Sequence, residues 1–548
     1  MKRIVTFLSL SGLLFWSVSL LGQADTVVVP ATLNGSPLGA INHFILGDTT
    51  PTGERKNPDR VYKLQHDKIY FMDGEFRANF DLKLIADPWD ENSKPPIVAS
   101  TTGANGKVMD IQFILLGDGI IKNIIFQLTP PEETIGSTAA FWLSKEGGNY
   151  EFDRIMVEWS VWVGITTVVP INKVTIKNCI FRNQQHPTNI WNGRGMNFYQ
   201  RNPADTVLMY NNTFFNMNSF AFAADISSFP PKYFLFDHNT LVNTMKFPIH
   251  SFWLPNAVVS NNIFYNTHSY GENKKDREGQ DPDELQYGII NISKMSKKTV
   301  KYLGGLKESE RRYIVKNNDV FYSDAIKNYW KANKLPANVF MNSRTKGMFE
   351  DKATYPFLQK EFPLDKDPGF VNAGNAIPDM VRWMNKRRRN QSNTLWGWDP
   401  DGSRFQVGWP LPEDLSYTNE EVKKAAEGGF PLGDLNWWAP SVKEEWEKWK
   451  INAVQSVAKG SSTIKLHPNR PNPFVEETLI SYELPTSGAV QIDLLDLEGH
   501  LVTPILKSKQ EAGAHRIIWR KGNQKPGVYL YRIKMGGQQA SAKLIIAK

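Results

Sequence analysis

The chain has 548 residues, 41% of them hydrophobic, and a formal charge of +8. That length and apolar content support a large buried core and more than one domain, and argue against disorder as the main state. The single cysteine, Cys179, excludes an intramolecular disulfide and a cysteine-based metal cluster, and no HExxH, Walker A or dinucleotide fingerprint occurs.

Residues 1–24 place Lys2 and Arg3 before an apolar run that ends in Gly22-Gln23-Ala24. This reads as an export signal cleaved before Asp25. The alternative, a membrane anchor, needs a longer apolar run than this one. Loss of Lys2 and Arg3 lowers the charge to +6. Much of the remaining excess is local, in Lys386-Arg387-Arg388-Arg389 and in the run from Lys294 to Lys301. In an exported protein these read as solvated faces or contacts to an anionic surface polymer, and no nucleic-acid partner is expected.

From Asp25 to about Tyr70 the chain is expected to form a cap that protects the first strands from edge pairing. Phe80 to Ile85 reads as an early strand. A recurring pattern follows: Asn123 precedes IIF, Asn178 CIF, Asn212 TFF, Asn239 TLV, Asn262 IFY and Asn318 DVF, at intervals of 55, 34, 27, 23 and 56 residues. Arg154, before IMV, divides the first interval, and the last leaves room for a charged insertion from Glu272 to Glu284. Short strands repeating at this spacing without helical spacers predict a β-helix whose coils stack on their neighbours. Asparagine suits the corners, because it tolerates left-handed backbone and can hydrogen-bond the same amide in the next coil. A β-sandwich is the alternative, but gives no reason for one repeated register.

The segments IKNCIFRN, YNNTFFNM, FDHNTLVN and VSNNIFYN resemble coils of the right-handed parallel β-helix of the pectate-lyase-like superfamily, over about residues 60 to 375. The resemblance implies an all-β fold of three-sided coils, with Asn123, Asn178, Asn212, Asn239, Asn262 and Asn318 as a structural ladder and Cys179 as a small corner residue. Asp367-Pro368-Gly369-Phe370 resembles the segment that closes such solenoids, so the β-helix with its cap is expected over residues 25–375.

If coil register is kept, Trp191 and Asp225 each follow their anchor asparagine by 13 residues and Trp253 follows Asn239 by 14. Arg194, Tyr199, Arg201 and His250 lie around them. An aromatic flanked by a carboxylate and cations could stack on a sugar and hold an acidic polysaccharide. The alternative is that Trp191 and Trp253 pack loops onto the solenoid wall. By resemblance, a lyase would need a base and a cation, commonly with calcium. Arg194, Arg201 and Lys246 could supply positive charge, but Asp225 has no carboxylate partner in register. A hydrolase needs paired carboxylates, for which Asp225 and Asp237 are candidates by elimination, and His238 reads as a corner residue.

Residues 376–459 carry Trp383, Trp396, Trp398, Trp409, Trp437, Trp438, Trp446 and Trp449. Such rings need something to bury against. The segment is read as an extension wrapping the last coils, with protein partners as a further use. A helix is expected from Ser441 to Ala458, with Ser441 as cap and Glu444 three positions on. Within the extension, Asp399, Asp401 and Ser403 in WDPDGS could ligate calcium, although a tight Asp-Gly turn explains the same residues. No cofactor is certain.

Residues 460–548 alternate as a small antiparallel β-sandwich. HPNRPNPF, ISYELP, PGVYLYR and KLIIAK, in that order, resemble the type A C-terminal sorting domain of type IX secretion cargo. The residues that carry the likeness are Pro471, Asn472, Pro473, Phe474, Gly527, Tyr529, Lys543 and Lys548. Val475-Glu476-Glu477 departs from the usual continuation. The resemblance implies the type IX machinery as a partner and an extracellular or outer-membrane cell-surface location. A retained carbohydrate-binding sandwich is the alternative. The expected function is binding of an extracellular polysaccharide or envelope component. A lyase or glycosidase and a structural envelope protein are the alternatives, and a solenoid fold by itself does not make an enzyme.

Overall fold

The computed structural model describes residues 25–547 except 104–105, 131–134, 200–201, 225–228, 274–286, 401–406, 459–463, 485–487, 511–512 and 537. The expected signal segment, Arg201, Asp225, Asp401, Ser403 and Lys548 lie outside the described residues. The described chain falls into two compact units, one ending at Lys443 and the other beginning at Glu444. No described helix is long and apolar enough to cross a membrane.

In the first unit, short strands fall into three sheets of eleven, nine and seven strands. Every pairing in these sheets is parallel, as between Ile171–Lys177 and Ala204–Tyr210, Thr213–Met217 and Thr240–Thr244, and Ala139–Leu143 and Val163–Thr167. From Val61 to Thr267 successive strands go to different sheets, so each turn of chain there adds one strand to each wall. This is a three-walled β-helix solenoid, and the parallel pairing rules out the antiparallel sandwich. Alternation sends every second side chain inward. Phe113 stacks on Phe141 at 5.3 Å and Phe181 on Phe214 at 5.2 Å, inside one continuous core.

The corner between the eleven- and nine-stranded sheets explains the repeated asparagine. Asn123, Arg154, Asn178, Asn211, His238, Asn261 and Asn317 all have φ between 49° and 61°. Asparagine tolerates this left-handed region better than most residues do. One residue later, Asn212, Asn239, Asn262 and Asn318 turn inward and stack: the Nδ2 of each of the first three donates to the Oδ1 of the next at 2.9, 3.1 and 2.9 Å. Cys179 occupies the same column, its N–H donating to Asn212 Oδ1 at 2.9 Å. Asn123 and Asn178 therefore stand one position ahead of the column, in the turn. A second column lies at the far end of the nine-stranded sheet, where Asn183, Asn216, Asn243 and Asn266 again have positive φ. There Asn243 Nδ2 donates to Asn216 at 3.1 Å and Asn266 Nδ2 to Asn243 at 3.0 Å.

The solenoid begins earlier than the sequence pattern indicated. Thr26–Val28 and Val61–Lys63 already pair in the eleven-stranded sheet, and the helix Ala40–Leu46 buries Ile41 and Ile45 against the first coil. Helices at Lys297–Tyr302, Asp324–Ala332, Ser343–Glu350 and Ile377–Arg388 were not legible as solenoid elements. The helices Asp324–Ala332 and Ile377–Arg388 pack together through Trp330, Met380 and Trp383. The basic cluster is not merely a solvated face: Arg388 donates to the Tyr270 carbonyl at 2.7 Å and lies 4.2 Å from the Tyr270 ring centre.

The tryptophan-rich segment runs along the outer surface of the nine-stranded sheet, over more than the last coils. Val407 packs against Ile97 and Ile125, Leu415 against Phe215 and Val242, and Leu432 against Ile263. Its backbone takes up the polar groups left on that wall: Trp398 N–H donates to Asn183 at 2.9 Å, Leu435 N–H to Asn211 at 2.6 Å and Asp434 N–H to Thr240 at 2.8 Å. Buried Arg182 is held by Glu413 at 2.6 Å and by Glu158. The expected helix is present at Pro440–Ala458.

The second unit has a three-stranded and a four-stranded antiparallel sheet around its own core of Ile480, Trp519 and Tyr531. The PNPF segment is pinned to the last strand, Gln538–Ile546: Asn472 Nδ2 donates to the Lys543 carbonyl at 3.0 Å and Asn472 Oδ1 accepts from Ile545 N–H at 2.8 Å. Phe474 is buried 5.8 Å from Trp519. Gly527 pairs with Ile546 in the same sheet, and Tyr529 Oη donates to the Lys525 carbonyl at 2.9 Å.

Candidate functional site

The three walls have different surroundings. The nine-stranded wall carries the extension. The eleven-stranded wall presents charges that neutralise one another: Glu151 meets Lys122 at 2.9 Å and Lys177 at 3.0 Å, and Lys177 meets Asp153 at 3.4 Å. Burial alone would raise the Glu151 carboxyl, but Lys177 and Lys122 hold it below the ordinary carboxylate range. The seven-stranded wall is aromatic.

Pairing fixes its outer row. Arg77, Ile114, Trp142, Thr166, Asn197, Ala223 and His250 are neighbours in register across all seven strands. The residues just before them, Phe76, Phe113, Phe141, Ile165, Met196, Phe222 and Ile249, belong to the buried core. The strand alternation therefore points this row outward. Midway along it, the half-buried ring of Tyr199 lies 5.3 Å from Trp162 and 6.4 Å from Trp142. At the end of the row, His250 stacks on Phe220 at 4.6 Å, with Trp191 6.3 Å away.

Cations border this second aromatic group. Lys246 Nζ sits 4.0 Å from the Trp191 ring centre and 3.3 Å from Glu272, which also faces His268 at 3.7 Å. Arg194 lies 5.8 Å from the Phe220 ring and donates to the Trp191 carbonyl at 2.7 Å. Burial, then Arg194 and Lys246, push the His250 imidazole down to about 3, so it is neutral and a poor proton acceptor at neutral pH. Its Nδ1, the Trp142 Nε1 and the Thr166 Oγ1 are buried without a protein partner.

The structure thus brings Trp191, Arg194 and His250 together. Tyr199 joins Trp142 and Trp162 instead, and Trp253 stands at the margin beside Phe252, its Nε1 donating to the Lys294 carbonyl at 3.0 Å. Trp142, Trp162, Thr166 and Phe220 escaped the sequence reading. The signal was available: Trp142 and Thr166 are 24 residues apart, the same interval as Arg154 and Asn178. Asp237 is not on this wall. It lies in the eleven-stranded sheet and accepts hydrogen bonds from Ser260 and Asn261, both at 2.8 Å.

Asp399 is half-buried in the extension, and its carboxylate contributes to the field that raises the buried Glu158 carboxyl, after burial itself and Glu413. Its expected co-ligands Asp401 and Ser403 lie outside the described residues; among the described residues, Asp496, Glu498 and His500 bring ligand atoms within 4.8 Å of one another at a turn of the second unit and could hold a metal. The alternating D-L-E-G-H sequence signals it.

Residues 470–547 match the family described as the secretion system C-terminal sorting domain. No curated protein matches the chain. Among solved structures, the crystal structure of pectate lyase Pel9A is similar at 11% identity and a TM-score of 0.27, covering 69% of this chain and 88% of that one. The chain carries a C-terminal type IX secretion sorting domain, and the protein is directed to the cell surface or the extracellular space.

Proposed function

We propose that this is a secreted or surface-attached right-handed β-helix protein that binds an extracellular polysaccharide along the outer face of its seven-stranded sheet. The observation that carries the reading is the set of half-buried aromatic rings on that face, Trp142, Trp162 and Tyr199 and, further along, Trp191, over a row whose members Ile114, Thr166, Asn197, Ala223 and His250 are themselves buried. Six strand spacings extend about 29 Å, a face long enough for a linear polymer. Aromatic faces stack on sugar rings. Among the described residues at this end, the Arg194 and Lys246 cations outnumber the Glu272 carboxylate that pairs with Lys246, which favours a polymer with acidic units. The right-handed sense follows the general rule for parallel crossovers. Binding is preferred over cleavage because His250 is held neutral and Glu272 is tied to Lys246 and His268.

Affinity electrophoresis of the mature chain through gels containing neutral or acidic polysaccharides tests the reading. At least one acidic polymer should retard it, and Trp162→Ala with Tyr199→Ala should weaken retardation by about tenfold, a difference of about 1.4 kcal/mol. Absence of retardation by every polymer would reject the proposal. Release of an unsaturated, ultraviolet-absorbing product would show a lyase, and new reducing ends without that absorbance a hydrolase.

A further inference from the structure

A recess opens at the opposite end of the molecule's first unit from His250, where the first coils meet the extension. Its volume is about 540 Å³, and Asp67, Glu91, Asn92, Lys94, Val407 and Trp409 line it. Asp67 and Lys94 come from the corners before the strands Ile69–Phe71 and Ile97–Ala99, whereas Val407 and Trp409 come from a segment more than 300 residues further along. We propose that this recess is a separate saccharide site that takes a neutral sugar unit.

Both rims are held before any ligand arrives. Trp409 donates its Nε1–H to the Asp90 carbonyl at 2.7 Å and meets Trp89 edge-on at 5.8 Å. Val407 is buried against Ile97 and Ile125. On the other rim Asp90 Oδ1 accepts from Asn92 N–H at 2.8 Å and Ser93 Oγ–H at 2.9 Å, which fixes the turn that carries Glu91 and Asn92. Asp67 has φ 56°, and its N–H donates to the Lys94 carbonyl at 3.1 Å. Ordering these groups in advance removes part of the entropy that binding would otherwise oppose.

The chemistry selects the ligand. An indole wall offers a stacking surface for the C–H face of a sugar. Carboxylates accept from paired hydroxyls, and an amide both donates and accepts. Two carboxylate side chains against one ammonium disfavour an anionic unit, in contrast to the cation-bordered Trp191 end of the seven-stranded wall. The site is thus independent of the polymer face, and a chain engaging both would gain from the high effective concentration of the second contact.

Calorimetric titration of the mature full chain with cellotetraose, mannotetraose and tetragalacturonate tests it. One neutral tetrasaccharide should bind at least tenfold more tightly than the uronate. Trp409→Ala should weaken that binding at least tenfold, Trp409→Tyr should keep it within about threefold, and Asn92→Ala should weaken it severalfold. If Trp409→Ala does not fold by circular dichroism, Asn92→Ala decides. The proposal is overturned if neither neutral tetrasaccharide binds at millimolar concentration, if the uronate binds more tightly, or if folded Trp409→Ala, or Asn92→Ala in its place, binds as the parent does.

Discussion

Asn239 shows what the repeated residue does. Its side chain has no exposed surface, yet its Nδ2 donates to the Met209 carbonyl at 3.1 Å and to Asn262 at 3.1 Å, and its Oδ1 accepts from Asn212 N–H at 3.2 Å and Asn212 Nδ2 at 2.9 Å. Asn123, in the neighbouring column, donates one side-chain hydrogen bond, to the Ala86 carbonyl at 2.7 Å. Buried groups left without partners cost about 1–3 kcal/mol each. Asn239→Ala should therefore lower unfolding stability by about 3 kcal/mol and Asn123→Ala by about 1 kcal/mol, read from urea denaturation of the mature chain. Equal losses would remove the distinction between an inward ladder and a turn residue. The sequence pattern showed that asparagine repeats, but in runs such as Asn211-Asn212 and Asn261-Asn262 it does not show which member turns inward. The pairing of Ile180 with Thr213 resolves that. The second column was legible in the last asparagine of IKNCIFRN, YNNTFFNM, FDHNTLVN and VSNNIFYN, each five residues after the left-handed corner.

Among the elements, the strand Asp319–Phe321 ends the nine-stranded sheet and shows how the solenoid is closed. Earlier in the same register, Thr213 Oγ1 donates to Asp434 Oδ2 of the extension and Thr240 Oγ1 accepts from Asp434 N–H. At the terminal position Asp319 Oδ1 accepts from Lys366 N–H at 2.9 Å, while Oδ2 is buried without a partner. Burial, reinforced by Asp365 and Asp367, pushes its carboxyl from the ordinary 3.8 up to about 7. The folded chain therefore holds the proton between pH 3.8 and about 7 while the unfolded chain releases it. Its contribution is fully present below that window and falls as pH rises through it. Asp319→Asn keeps the acceptor and abolishes the titration, so it should match the parent at pH 4 and be about 4 kcal/mol more stable at pH 8. Denaturation midpoints at the two pH values check this, and a pH-independent difference would refute it. The closing segment could be read from Asp-Pro-Gly-Phe, but the protonated partner could not, because its shift arises from packing that the local sequence does not contain.

Within the first unit as a whole, the unexpected feature is how many coils one segment touches. A solenoid is quasi-one-dimensional: each coil meets its neighbours, and unfolding can proceed coil by coil. The extension ties distant coils together, with Val407 at Ile97, Glu413 at Arg182, Leu415 at Val242 and Leu432 at Ile263. Composition announced that the tryptophans must be buried, but not where, since nothing in residues 394–438 repeats the solenoid period. The destination is set by the polar columns on the nine-stranded wall, whose asparagine and threonine side chains leave acceptors for passing backbone. If the segment acts as such a staple, loosening it should change cooperativity as well as stability. Glu413→Ala leaves buried Arg182 with Glu158 alone, and losing one partner of a buried ion pair costs about 3–5 kcal/mol. Combined with Leu415→Ala, it should lower the urea midpoint and also reduce the slope of the transition, because coils then unfold in stages. Phe113→Ala, which removes a ring from the core while leaving the extension in place, should lower the midpoint with the slope retained. An unchanged slope in the double variant would mean that the stacked walls alone make the solenoid unfold as one, with the extension contributing cover rather than linkage.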